Sequence, residues 1–404
     1  MELLKLHTKL SKADLQSLRL ISISLILVLF HQTYSMLLFP SSSIFVNLGI
    51  IGFGVLGCLL FLSHHSLISY TRWFLYLIFY FILVGFLQGF GNLPIVLGQD
   101  LRYVLLFFIG GVFASNADTM SYFHWLMKWL GVISIIFGIL GLVYFDITEI
   151  AIAERSGTWT ISYFYWWASC ACFSYWSYYA LFTNKQKFLG IAVLLVYLIL
   201  GALFVKRASL VNGLVILVVY HIFDKGVKIR SSIRVLFILV GTIMLLYFIA
   251  PSVFRTITES YTTRIEQARE DLDELDRNRE ANAYFESAST SQIVFGNGIG
   301  HYTEYSGGIN KDNITMNALH LGWANIIYKG GVLYVLFYVF ILFAILRKCF
   351  KAKKLNPYQL TCLGVSISSF ISLLFEGSWT YTLLPVCISA PMFYLLSNNK
   401  NEIN

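Results

Sequence analysis

One polar segment, 279–331, brings together several residue types that can do chemistry. Arg279 opens it, the glycine-rich run F-G-N-G-I-G occupies 295–300, and His320 follows in the run L-H-L-G-W. A guanidinium group stabilises anionic groups through charge-assisted hydrogen bonds. An imidazole can accept a proton from a hydroxyl near neutral pH. The segment therefore combines a candidate anion-binding residue with a candidate base.

The glycine spacing at 295–300 has two interpretations. Glycines spaced G-x-G-x-G allow a backbone to approach a phosphate closely. The alternative, a plain turn before a helix, is the one that the sequence favours. No β-α-β pattern precedes the run, so a dinucleotide-binding fingerprint is excluded.

The composition of the whole chain is typical of a polytopic membrane protein. Of its 404 residues, 57% are hydrophobic and 12% are charged, whereas a soluble domain carries roughly 25% charged residues. A formal charge of +8 would suit a nucleic-acid-binding protein. The cations instead cluster in short loops between apolar runs, where membrane topology places them. We therefore expect a lipid bilayer around the chain and no nucleic-acid partner.

The apolar runs predict an all-α fold with about twelve transmembrane helices. The spans are expected at about 18–39, 43–62, 73–90, 96–114, 122–145, 161–182, 188–205, 208–223, 233–250, 330–347, 358–376 and 379–397. This divides the chain into transmembrane helices at 1–250, one large loop at 251–329 and further transmembrane helices at 330–404. The span 96–114 contains two charged residues, Asp100 and Arg102. Within the loop, helical spacing of apolar residues predicts an amphipathic helix over 262–280.

The distribution of lysine and arginine predicts the orientation. If the N-terminus is cytoplasmic and successive loops alternate between the two sides of the membrane, the loops rich in lysine and arginine fall on the cytoplasmic side. The short loops 40–43 and 91–95 then lie outside and contain no lysine or arginine. Both termini are then cytoplasmic and the loop 251–329 is extracytoplasmic. The first apolar run is long enough to span the membrane, so it is interpreted as a retained helix rather than a cleaved signal peptide.

Three cations outside the large loop fall on the outer side, against this distribution. They are Arg155, Lys206 and Arg207. Cations placed without a topological reason are candidates for a functional site. The alternatives are a solvated loop residue for Arg155 and side chains extending to the membrane surface for the other two. The six cysteines lie in or beside apolar spans and form no metal-binding spacing, so they are expected to be packing residues.

The order of these motifs resembles the O-antigen polymerase (Wzy) and O-antigen ligase (WaaL) superfamily. The resemblance rests on R-S-G-T at 155–158, K-R-A-S at 206–209, Arg279 ahead of the glycine run, and His320 ahead of G-G-V-L at 330–333. Three features depart from the pattern. Leu321 stands where asparagine or serine is usual, and Lys329 stands where an acidic residue is often found. The usual proline before the glycine run is missing.

The resemblance implies a metal-independent glycosyltransferase without a cofactor at the outer face of a bacterial inner membrane. The donor would be an oligosaccharide linked to undecaprenyl diphosphate, and an incoming lipid-linked unit would accept the growing glycan. Arg207 and Arg279 would stabilise the diphosphate leaving group, and His320 would deprotonate or orient the acceptor hydroxyl. Substrate contacts are expected from Arg155, Lys206, Tyr302, Glu304, Glu376 and Trp379. A chain-length regulator and a flippase are the implied partner proteins.

Two other functions compete with polymerisation. An O-antigen ligase uses the same donor with a different acceptor, and the motifs do not separate it from a polymerase. A lipid-linked-oligosaccharide flippase would have cations along a central cavity and pseudo-symmetric halves, which the sequence does not indicate. The aromatic run at 159–178 suits either a lipid or sugar groove or an interfacial aromatic belt.

Overall fold

A computed structural model describes most of the chain in separate ranges. These are residues 10–30, 43–65, 69–89, 100–144, 171–179, 187–203, 211–216, 218–219, 251, 255, 258–259, 262, 276–301, 303–306, 313–316, 319, 322–351, 355, 357–375 and 383–397. All structural statements below concern these residues.

The described chain is predominantly α-helical, as the apolar runs predict. Before the polar segment its named helices are α1 Lys12–Phe30, α2 Ser43–His64, α3 Ser69–Gln88, α4 Leu101–Phe113, α5 Ala117–Tyr144 and α6 Lys187–Leu203. From the polar segment onward they are α7 Asp276–Ser287, α8 Thr290–Phe295, α9 Gly322–Lys351, α10 Pro357–Phe375 and α11 Leu384–Ser397. Two strands, β1 Thr303–Ser306 and β2 Asn313–Met316, form an antiparallel pair that the sequence analysis did not predict.

Two of these helices are long and apolar enough to cross a membrane. They are Phe45–His64, within α2, and Gly322–Lys351, which is α9. Most residues in the most apolar stretch of each helix are at least partly exposed, whereas a core helix of a soluble protein is mostly buried. Their outward side chains include Phe45, Phe340 and Phe343, each more than 60% exposed. Large exposed apolar faces indicate contact with a membrane or a partner, and this supports membrane association.

Helix α4 lies at the centre of the described bundle. It packs against α2, α3, α5 and α11, and ten of its thirteen residues are buried. Because most of this helix faces protein, it tolerates Arg102, which is fully buried and donates from Nη1 to Asn47 Oδ1 at 3.1 Å. The charged residues that interrupt the span 96–114 therefore face protein rather than the surface.

The amphipathic helix predicted at 262–280 continues beyond its predicted end. The described part, α7, runs from Asp276 to Ser287. Arg279 therefore lies inside a helix that continues through A-N-A-Y-F. Residues 263–275 lie outside the described ranges.

Candidate functional site

The glycine turn begins at the end of the short helix α8. Ser289 caps this helix, because its hydroxyl accepts from the Gln292 backbone and the Gln292 side chain accepts from the Ser289 backbone. The helix ends at Gly296, whose φ of 78° lies in the left-handed region that favours glycine. This local chemistry fixes where the turn leaves the helix.

Gly296 packs directly against a kink in α9. Helix α9 is interrupted at Gly331, where φ is 69° and ψ is 179°. A Cβ on Gly331 would lie 2.2 Å from the Val294 carbonyl oxygen, and a Cβ on Gly296 would lie 2.6 Å from the Gly331 nitrogen. Neither position has room for a side chain. The glycines therefore allow two backbones to touch.

The N–H groups of the turn donate to protein acceptors. Asn297 N–H donates to the Tyr328 carbonyl at 2.8 Å, and Gly298 N–H donates to the Lys329 carbonyl at 2.9 Å. The kink frees these carbonyls from ordinary helical pairing. Gly300 N–H donates to Asp100 Oδ2 at 2.5 Å. These groups are occupied, so they do not form a phosphate cradle, and the turn joins α8 to α9.

Asn297 stabilises the turn from within. Its side chain is buried and donates from Nδ2 to the Tyr284 hydroxyl at 3.2 Å and to the Tyr328 carbonyl at 3.1 Å. Its Oδ1 accepts from Gln292 Nε2 at 2.8 Å. Burial raises the pKa of Tyr284 to about 12, although the hydrogen bond from Asn297 acts in the opposite direction. The Tyr284 hydroxyl therefore stays neutral.

A buried ion pair joins the turn to the start of α4. Lys329 Nζ lies 3.1 Å from Asp100 Oδ2, and the two side chains are 4% and 5% exposed. The same ammonium group donates to the His301 carbonyl at 3.4 Å. A buried carboxylate needs a cation and hydrogen-bond donors to offset the loss of water. Lys329 and Gly300 N–H supply both.

Tyrosines from three helices surround the kink. The hydroxyl of Tyr80, in α3, donates to the Gly330 carbonyl oxygen at 2.6 Å. The same hydroxyl lies 3.1 Å from the carbonyl oxygen of Phe295. One turn further along α9, the hydroxyls of Tyr334 and Tyr338 form a closed triangle with that of Tyr103 from α4, at separations of 3.0, 2.5 and 3.0 Å. These contacts hold α3, α4 and α9 together beneath the turn.

A second buried cluster packs α7 on the start of α9. It consists of Ala281, Tyr284, Leu319, Ala324 and Tyr328. Beside it, the Phe285 and Trp323 rings stack with centroids 5.6 Å apart. Leu319 N–H donates to Asn325 Oδ1 at 3.0 Å. Leu319, which precedes His320, is therefore in the same cluster as Ala281, which lies two positions after Arg279.

The structure describes two of the predicted site residues at the level of the backbone. Arg279 lies in α7 and Glu304 lies in β1, opposite Thr315, and α7 contacts β1. The elements that contain these two residues are therefore neighbours. The other predicted site residues lie outside the described ranges. They are Arg155, Lys206, Arg207, Tyr302, His320, Glu376 and Trp379.

The described part of the aromatic run 159–178 faces the protein interior. Residues 171–178 are buried, and the Tyr175 hydroxyl lies 2.8 Å from His124 Nε2. An interfacial belt would place these rings at the surface, so Tyr175, Trp176 and Tyr178 do not form one. The preceding residues of the run lie outside the described ranges.

The described cysteines are buried thiols, as expected for packing residues. They are Cys58, Cys172, Cys349, Cys362 and Cys387. Within the described ranges, no three histidine, cysteine, aspartate or glutamate residues are grouped so that they could hold a metal ion.

Sequence reasoning did not include Asp100, Asn297, His301 or Lys329 in the site. Two signals were available: Asp100 interrupts an apolar span, and Lys329 departs from the pattern of the superfamily that the motifs resemble. Comparisons of the chain with protein-family models, with curated proteins and with solved structures find no match.

Proposed function

We propose that this protein is a polysaccharide repeat-unit polymerase of the O-antigen polymerase type. The observation that carries the proposal is the packing of Leu319, next to His320, in one cluster with Ala281 of the helix that contains Arg279. The strand that contains Glu304 contacts the same helix. Arg279 and Glu304 thus belong to elements that contact each other, and His320 is the sequence neighbour of a residue packed in the same cluster as Ala281 of that helix.

In the proposed reaction, the growing glycan moves from undecaprenyl diphosphate to a hydroxyl on an incoming lipid-linked unit. Arg207 and Arg279 stabilise the negative charge that develops on the diphosphate, with Arg155 and Lys206 in support. His320 acts on the acceptor hydroxyl. Tyr302, Glu304, Glu376 and Trp379 contact the sugars. Guanidinium groups can perform this stabilisation without a metal.

The proposal includes the membrane arrangement. About twelve helices cross the bacterial inner membrane, both termini are cytoplasmic, and the turn with its flanking helices lies at the outer face. The two helices long and apolar enough to span support the membrane location. A chain-length regulator and a flippase are the proposed partner proteins.

Deletion of the gene tests the reaction class. The surface glycan is separated on a gel, and the lipid-linked intermediates are extracted from the membrane. One repeat unit on each anchor supports the polymerase. Free lipid-linked polymer would instead identify a ligase, and the absence of any exported glycan would identify a flippase.

Complementation of the deletion strain tests the role of Arg279. An Arg279→Lys variant should give shorter or no polymer, because lysine supplies a point charge but no bidentate contact to phosphate. Arg255→Lys is the matched control. Arg255 is in the same large loop, 81% exposed, and its Nε lies 2.9 Å from Glu259 Oε1. Normal polymer from both variants would contradict the role given to Arg279.

A further inference from the structure

His301 has the geometry of an oriented base immediately after the glycine turn. Its half-buried ring places Nε2 2.7 Å from the Gly89 carbonyl oxygen. A carbonyl oxygen can only accept, so Nε2 carries the hydrogen of this bond. In the neutral ring, Nδ1 is then the unprotonated nitrogen. The Gly89 carbonyl therefore selects both the orientation and the tautomer of the ring.

The backbone of His301 is fixed by the buried ion pair. Its carbonyl accepts from Lys329 Nζ at 3.4 Å, while the preceding N–H, of Gly300, donates to Asp100 Oδ2. The ring is thus held by the residue that follows α3, and the main chain by the residue that precedes α4 and by Lys329 of α9. A base whose position is set by a third group is the arrangement that proton-transfer sites use.

His301 lies close in the chain to the hairpin that contacts α7. Strand β1 begins at Thr303, two residues after His301, and Thr303 pairs with Met316 of β2. Because the pair is antiparallel, the chain returns at Met316 to the end of the hairpin from which it left. Helix α7, which contains Arg279, contacts β1. His301 therefore lies two residues ahead of a strand that contacts the helix of Arg279.

We propose that His301 is a catalytic residue that accepts the proton of the attacking sugar hydroxyl at Nδ1, while His320 orients the same hydroxyl. This inference rests on the proposed polymerase function. The acceptor oxygen forms a bond to the anomeric carbon of the donor, and the bond from that carbon to the diphosphate oxygen breaks. The electron pair of the broken bond leaves with the diphosphate. The hydroxyl proton moves to Nδ1, and the resulting imidazolium releases it to water.

The test uses membranes that contain the full chain, and lipid-linked single repeat units extracted from the deletion strain. His301→Gln retains an N–H that can donate to the Gly89 carbonyl but has no basic nitrogen. It should lower the rate of chain elongation by about 10²- to 10⁴-fold. His301→Ala should lose a similar factor and recover part of it with added imidazole. Binding of the lipid-linked units and the amount of folded protein should stay unchanged in both variants. His64→Gln, at an exposed histidine at the end of α2, is the matched control and should elongate normally.

Full activity of His301→Gln would overturn the inference. So would a loss in His301→Ala that imidazole does not restore, or one that parallels a loss of folded protein. Each result leaves the proposed function intact when the wild-type protein elongates the lipid-linked units in the same assay. Failure of the wild-type protein to elongate them would overturn the polymerase proposal itself.

Discussion

Lys329 Nζ lies 3.1 Å from Asp100 Oδ2, and 229 residues separate the two in sequence. Both side chains are almost completely buried, and Gly300 N–H donates to the same carboxylate oxygen. Three distant parts of the chain therefore meet at one charge pair: the start of α4, the glycine turn and the kink of α9. We therefore expect this pair to contribute to the position of the turn.

Removing one charge of the pair should be more harmful than removing both. Asp100→Asn keeps an oxygen that can accept from Gly300 N–H but leaves the ammonium of Lys329 uncompensated. We expect a loss of about 3–5 kcal/mol in the free energy of unfolding, as for other broken buried pairs. The double variant Asp100→Asn/Lys329→Met should recover most of it. Unfolding in mixed detergent micelles measures the difference, and equal losses in the single and double variants would contradict a specific pairing.

Gly331→Ala should destabilise the protein by more than its backbone conformation alone explains. The added Cβ would meet the Val294 carbonyl at 2.2 Å, and φ is 69°. Gly89 also has a positive φ, of 84°, but nothing lies within 4 Å of its ideal Cβ. Gly89→Ala should therefore cost about 1–2 kcal/mol for the backbone alone. The loss of stability in Gly331→Ala should be larger by about 1–3 kcal/mol, because the added Cβ also overpacks the contact.

Gly52→Ala provides a baseline for the same melting measurements in detergent. Gly52 lies in α2, is exposed, and has open space around its ideal Cβ. Its variant should melt at or slightly above the wild-type temperature, because alanine favours a helix more than glycine does. If Gly331→Ala and Gly89→Ala had the same melting temperature, the close contact between α8 and α9 would not contribute to stability.

The helices could be predicted from the sequence, but the pair of short strands could not. Apolar runs of sufficient length predicted the helices at Ser43–His64 and Pro357–Phe375 to within a few residues. The strands T-E-Y-S and N-I-T-M are too short for alternation to distinguish them from loop. The two strands pair with each other between the turn and α9, and no local sequence pattern specifies this pairing.

The sequence favoured a turn at 295–300, but the residues that this turn contacts were hidden from it. The spacing F-G-N-G-I-G is compatible with binding a phosphate or with making a turn, and the acceptors decide between them. Those acceptors are the carbonyls of Tyr328 and Lys329, exposed by a kink at Gly331. Carbonyls freed by a kink have no signature in side-chain identity. The charged residue Asp100 in an apolar span was the visible signal, and its partner required the fold.

Asn297→Asp should weaken the turn while changing little in size. Aspartate lacks the Nδ2 hydrogens that Asn297 donates to the Tyr284 hydroxyl and the Tyr328 carbonyl. Leaving buried acceptors without donors costs about 1–3 kcal/mol. We expect a loss of that order in detergent unfolding. Ser291→Ala, at an exposed position in α8, is the control and should change stability by less than about 0.5 kcal/mol. Equal stability of both variants would show that the side chain of Asn297 does not hold the turn.

The contact between α1 and α2 should weaken in acid. Asp14 Oδ1, near the start of α1, lies 2.6 Å from Nε2 of His65, which follows α2. Burial of the Asp14 carboxyl raises its pKa, but hydrogen bonds from His65 and Ser11 outweigh burial and hold the pKa below the ordinary value of 3.8. The unfolded chain therefore binds a proton more readily than the folded chain at this residue.

A lowered pKa in the folded state fixes the sign of the pH dependence. The stabilisation from Asp14 is fully present above about pH 4 and is lost as the pH falls through the lowered folded value. Melting temperatures of the wild-type protein and of Asp14→Asn should therefore differ at pH 6 and converge towards pH 3. Taking the difference between the two proteins removes the contribution of other acidic groups. A constant difference across this range would mean that the Asp14 carboxylate does not stabilise the α1–α2 contact through its charge.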